Sequence, residues 1–121
     1  MEDRRYYRRI KFEADAEVIY KDASFKAELY DISLMGALLK STPPLPVKMN
    51  DLAELKIYLP LSEISLNFTA ELVHRKEGFS GFKFKSKDVD TITHLRRLLE
   101  LNIGDDVQIN KEIAFWLKGE R

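Results

Sequence analysis

From Ile10 to Tyr20 the chain alternates apolar and polar positions, with Ile10, Phe12, Ala14, Ala16 and Val18 on one face, which predicts a half-buried strand. Lys21-Asp22-Ala23-Ser24 reads as a turn. Alternation resumes over Phe25–Asp31, where Phe25, Ala27 and Leu29 share a face. The run Asp31-Ile32-Ser33-Leu34-Met35-Gly36 interrupts it, and Ala37-Leu38-Leu39 restores strand character. Ser41–Pro46 holds three of the four prolines and predicts a loop. Leu55–Leu59 and Ile64–Leu72 alternate again. Lys76-Glu77-Gly78 is a hairpin turn, followed by a strand over Phe79–Phe84. Six strands with short connections predict a small antiparallel barrel or sandwich.

The period changes from Asp90 on. Ile92, Leu95, Leu98, Leu99 and Ile103 recur at helical spacing, with Asp90 as N-cap and Gly104 as stop. A second helix is expected to start at Asp105 or Asp106, with Val107, Ile109, Ile113, Trp116 and Leu117 as its apolar stripe. The expected role of both helices is to cover one end or side of the sheet.

A length of 121 residues suits one domain with a single core. The chain has no cysteine, which removes disulfides, thiol nucleophiles and cysteine-based metal sites. Met1 is followed by charged residues rather than an apolar run, and no stretch approaches the roughly 20 apolar residues of a membrane span. The expected location is therefore the cytoplasm, with no membrane insertion. Formal net charge is +0, but it is unevenly placed. Residues 1–11 carry Arg4, Arg5, Arg8, Arg9 and Lys11 against Glu2 and Asp3, a balance of +3, so the remainder is −3. Four guanidiniums in Arg4-Arg5-Tyr6-Tyr7-Arg8-Arg9 cannot be buried without partners, and must face water or an anion. Arg5 and Arg9 share a face in helical or extended backbone, and an extended chain puts their Cα atoms about 13 Å apart. The planar arginine fork binds phosphate bidentately or stacks on a ring. A solvated basic terminus is the competing reading.

Asp31-x-Ser33-x-x-Gly36 is the second feature. Asp and Ser turn side-chain oxygens toward nearby backbone N–H groups, and Gly permits positive φ or close backbone approach. A simple turn between strands accounts for all three. Asp31 also offers a carboxylate to the N1–H and exocyclic amine of guanine, while an arginine meets O6 and N7 of the same base.

Arg5-x-x-x-Arg9 followed by Asp31-x-Ser33-x-x-Gly36 in a strand-rich chain resembles the PilZ domain family, which binds the bacterial second messenger cyclic di-GMP. The resemblance includes Gly81-Phe82-Lys83-Phe84 and the run from His94 to Asp105, which is similar to the ending of short stand-alone members. It implies a mainly β fold, a six-stranded antiparallel β-barrel with C-terminal helices packed against it. The chain would be a single domain: 1–11 a flexible Arg-rich ligand-binding segment, 12–86 the barrel and 88–118 the helices. It further implies that Arg5 and Arg9 grip guanine edges and phosphates while Asp31, Ser33 and Gly36 line the barrel side of the same site. Arg4 stands where an arginine in this family accompanies binding of two intercalated cyclic di-GMP molecules. Arg8 occupies a variable position within the motif and ranks below the others. At His74 similar proteins can carry a tryptophan, which stacks better on a base, with Arg75 or Lys76 as compensating residues.

No catalytic or metal site is expected. His74 and His94 have no metal-ligand spacing, Ser33 lacks a nucleophile elbow or a base, and the glycines match no phosphate loop. The reading is a non-enzymatic receptor without cofactor, whose ligand orders the N-terminal segment so that an unidentified downstream protein reads the altered surface. The alternative is a small barrel binding single-stranded nucleic acid through Tyr6, Tyr7 and the arginines. Overall neutrality and the acidic balance beyond Lys11 make nucleic acid the poorer fit.

Overall fold

The computed structural model describes residues 10–86 and 89–103. Within them are β1 (Ile10–Tyr20), β2 (Ala23–Ile32), β3 (Gly36–Lys40), β4 (Leu52–Tyr58), β5 (Ser65–Lys76), β6 (Phe79–Phe84) and α1 (Val89–Ile103). The strands close into a barrel in the order β1-β2-β3-β6-β5-β4, all neighbours antiparallel, with β1 pairing to β4 across the seam. Barrel rather than sandwich is the outcome, because β1 and β5 are long and bulged. A bulge bends its strand and sharpens its twist, which lets a six-stranded sheet turn back on itself.

Alternation places Ala14, Ala16, Val18, Ala27, Leu29, Ala37, Leu39, Leu55, Ile57, Leu66, Phe68, Leu72, Phe82 and Phe84 inside. Small alanines interleave with large side chains, as a narrow barrel interior requires. Phe68 stacks on Phe84 with ring centroids 3.6 Å apart. Helix α1 packs against β5 and β1 and buries Ile92, Leu95, Leu98 and Leu99 in the same core. Each such side chain contributes about 1.5–3 kcal/mol of apolar burial. Thr91 Oγ1 accepts the Asn67 N–H at 3.2 Å and joins the helix to β5.

Several element limits differ from the sequence reading. The β1–β2 turn narrows to Lys21-Asp22, both at positive φ (51° and 66°), the backbone of a tight two-residue hairpin. The Glu77-Gly78 turn has the same form, with φ of 48° and 86°. Strand β1 has the limits its alternation predicts, Ile10–Tyr20, whereas β4 starts at Leu52 rather than Leu55. Strand β5 runs on to Lys76 instead of stopping at Leu72, because its bulge lies between Leu72 and His74 and breaks the period-two pattern there. Helix α1 begins at Val89, so Asp90 lies in its first turn, where a carboxylate still complements the helix dipole. The expected second helix lies outside the described residues, as do Arg4, Arg5, Arg8 and Arg9. No helix among the described residues is long and apolar enough to cross a membrane.

Candidate ligand-binding site

The Asp31-x-Ser33-x-x-Gly36 motif forms the β2–β3 connection. Ser33 is fully buried. Its backbone N–H donates to the Gly36 carbonyl at 2.9 Å, and its Oγ accepts the Met35 N–H at 3.1 Å. The hydroxyl also lies 3.5 Å from the Gly36 carbonyl oxygen, to which it donates. Met35 in turn accepts the Phe84 N–H at 2.8 Å, which ties the connection to β6. Ile32 and Leu34 point into the core from either side of Ser33. Gly36 does not need positive φ. It needs the absence of a side chain, since a Cβ there would meet the Phe82 carbonyl oxygen at 2.2 Å.

Asp31 occupies a different setting. It is half-buried on the barrel exterior, directly opposite Leu38 on β3. Leu38 pairs with Gly81 on β6, and Gly81 with the exposed His74 on β5. Residues directly opposite one another in a sheet project to the same side. Asp31, Leu38, Gly81 and His74 therefore form one outward row, about 14 Å from end to end at three inter-strand steps. A Cβ at Gly81 would come within 3.0 Å of His74 Cβ, so the glycine leaves the middle of the row bare.

The start of β1 connects this surface to the arginines. Ile10 pairs with Ile32 and Lys11 with Asp31. Arg9 is the residue before Ile10, and Arg5 is tethered within about 18 Å of Ile10 by chain length alone. The pairing thus brings the root of the Arg-rich segment to Asp31. It does not bring Arg75 into the site: its Nη2 donates to the Leu45 and Val47 carbonyls, both at 2.7 Å, and pins the proline-rich loop. Leu38 and Gly81 were not singled out from sequence as site residues. A glycine inside a strand is a recognised sign of close approach, and would have flagged Gly81; nothing in the sequence flags Leu38.

The row is an open surface. A cleft of about 630 Å³ lies beside it, lined by Glu13, Asp15, Glu28, Tyr30, Tyr58 and Leu61 among others. Among the described residues no group of three or more His, Asp or Glu side chains is placed to hold a metal ion.

The sequence profile of the PilZ domain family matches residues 2–101. The fold is similar to the PilZ domain of CeSA from a cellulose synthesizing bacterium, at 20% identity and a TM-score of 0.57, covering 79% of this chain and 95% of that one. It is also similar to the Bacillus subtilis inhibitor of motility (MotI/DgrA), at 18% identity and a TM-score of 0.63, covering 80% of this chain and 52% of that one. With a closed six-stranded barrel, a braced Asp31-x-Ser33-x-x-Gly36 connection and a family profile spanning most of its length, the chain belongs to the PilZ domain family.

Proposed function

We propose that this chain is a non-enzymatic receptor for cyclic di-GMP and that it binds two intercalated molecules. The observation that carries the proposal is the pairing of Ile10 with Ile32 and of Lys11 with Asp31, which anchors the Arg-rich segment beside the acidic residue of the second motif. Arg5 and Arg9 supply the forks for phosphates and for guanine O6 and N7. Asp31 accepts from N1–H and the exocyclic amine of a guanine. Ser33 and Gly36 hold the β2–β3 connection against β6 so that Asp31 faces outward. Gly81 offers a bare floor for a planar base, and His74 flanks it at the far end of the row. Arg8 remains a secondary contact. Binding orders the segment over the row, and an unidentified downstream protein in the cytoplasm reads the changed surface.

Two stacked ligands bring four phosphates into a small volume, and Arg4, Arg5 and Arg9 provide three guanidiniums against that charge. Calorimetric titration with cyclic di-GMP, with single-stranded RNA as control, tests the reading. The expected result is two cyclic di-GMP per chain and no comparable RNA binding. Arg4→Leu is expected to lower the count toward one, with the second molecule the more salt-sensitive, since exposed charges are screened over about 8–10 Å. One ligand per wild-type chain at saturation would sink the two-molecule reading, and tighter RNA binding would sink the receptor itself.

A further inference from the structure

A second outward row crosses the barrel beside the first: Tyr58, Asp15, Glu28, Lys40, Phe79 and Lys76 are successive partners on β4, β1, β2, β3, β6 and β5. Its centre is electrostatically frustrated. Asp15 stands directly opposite Glu28, and like charges in that relation repel. Lys40, on the far side of Glu28, carries its ammonium over the Phe79 ring, 5.9 Å from the centroid. Glu17, one step along β1, shows the ordinary solution by contrast. It faces Lys26 on one side and Lys56 on the other. Hydrogen bonds from Ser24 and then Tyr58 also hold its carboxyl below the usual carboxylate range. Asp15 has no lysine opposite it and Glu28 has one, Lys40, yet none of Glu13, Asp15 and Glu28 forms an ion pair among the described residues.

These three carboxylates line the 630 Å³ cleft together with one cation, Lys40, and with Tyr30, Tyr58 and the fully exposed Leu61, so negative charge remains in excess there. Carboxylates beside aromatic faces suit a guanidinium, through ion pairing and cation–π contact. We propose that the cleft is a docking surface for the chain's own Arg4–Arg9 segment in the absence of ligand. The competitive consequence, that the anionic ligand must draw the arginines away from these carboxylates, rests on the receptor reading above.

Charge and reach support this occupant. The segment brings four arginines and two tyrosines within six residues. Six extended residues span about 20 Å, and Asp15 lies five residues along β1 from Ile10, roughly 17 Å. A segment folding back along the outer face of β1 uses about two residues for the reversal, which brings Arg4 alongside Glu13 with its long side chain directed at Asp15. Exposed ion pairs are individually weak, but a short tether raises the local concentration to the millimolar range, where weak contacts suffice.

Trypsin reads the docking directly, because it cuts after arginine. The full-length protein, without ligand, is digested at low salt, and cleavage after Arg4 and Arg5 is followed by mass spectrometry. The comparison is with an Asp15→Asn, Glu28→Gln double variant, which leaves the sequence around those bonds unchanged. The expected result is cleavage about fivefold faster in the variant, with wild type reaching the same rate near 0.5 M salt. The affinity for cyclic di-GMP is expected to rise by a similar factor. Equal cleavage rates at low salt would overturn the docking. So would protection that grows with protein concentration, which would assign the segment to a second copy of the chain. The cleavage arm contains no ligand, so failure of cyclic di-GMP to bind would remove the receptor reading without touching this test. Faster cleavage with unchanged ligand affinity would overturn the competition. Thermal melting checks the fold of the variant; should the pair of changes destabilise it, Glu28→Gln alone carries the same comparison.

Discussion

Two rows of outward residues cross β2, β3, β6 and β5 side by side, and they are built on opposite terms. The row Asp31–Leu38–Gly81–His74 has one carboxylate, one bare glycine and bulges beside it: in β1 between Lys11 and Ala14, in β2 between Leu29 and Asp31, in β5 between Leu72 and His74. The row Tyr58–Asp15–Glu28–Lys40–Phe79–Lys76 is regularly paired and dense with long side chains. In the first, backbone shape sets what the surface presents, and a side chain too many costs the fold. In the second, the backbone is ordinary sheet and only the charges are unusual. Bulges re-aim side chains and recur near binding sites, which fits the first row as the place where a ligand is met.

This contrast can be broken most sharply at Gly36, whose connection shapes the first row. Gly36→Ala forces a Cβ onto the Phe82 carbonyl, and is expected to destabilise by about 3 kcal/mol or more, read by urea denaturation. A variant as stable as wild type would show that β3 and β6 tolerate separation, and that shape is not what the row conserves energy for. Next come the arginines proposed to complete the site. Arg5→Ala or Arg9→Ala is expected to weaken cyclic di-GMP binding about tenfold to hundredfold, from about 1.5–3 kcal/mol per charge-assisted hydrogen bond, with circular dichroism unchanged. Unchanged affinity in either variant removes that residue from the site.

A third pair of variants separates shape from contact within the motif. Ser33→Ala strands the partly buried Met35 N–H, and is expected to cost about 1–3 kcal/mol of stability. Asp31→Ala is expected to cost less stability than Ser33→Ala and to weaken ligand binding instead. The reverse pattern, measured by melting and by titration of the folded fraction, would make Asp31 the brace and Ser33 the contact. The smallest effect belongs to the second row. Asp15→Asn relieves the like-charge pair with Glu28 and is expected to raise stability by up to about 0.5 kcal/mol, and only at low salt. A loss of stability there would mean that the carboxylate has a partner within the fold.

The strands were legible where alternation was clean, and blurred where a bulge inserts one residue. Val73 is the example: it ends the period-two pattern after Leu72, yet backbone pairing resumes at His74 and carries that residue into the sheet. Asp31, Ser33 and Gly36 were legible as a motif but not as parts with separate jobs, because burial distinguishes them and burial is set by residues far along the chain. The helix over Val89–Ile103 was legible from its apolar spacing, and its first residue was not, since helix ends depend on local hydrogen bonds rather than on the stripe.

Six strands, the covering helix, the concentration of positive charge before Ile10 and the pair of motifs that mark the family can all be read without the fold. Each of those is written in local spacing, and local spacing survives without knowledge of what lies opposite. Closure was decided only by tertiary structure. Pairing β1 with β4 and β3 with β6 joins residues far apart in the chain. It sets Gly81 and His74 across from Leu38 and Asp31, commits Arg75 to the Leu45 and Val47 carbonyls, and turns Asp15 toward Glu28. Register between distant strands is an energetic compromise over the whole barrel, and no window of the sequence contains it.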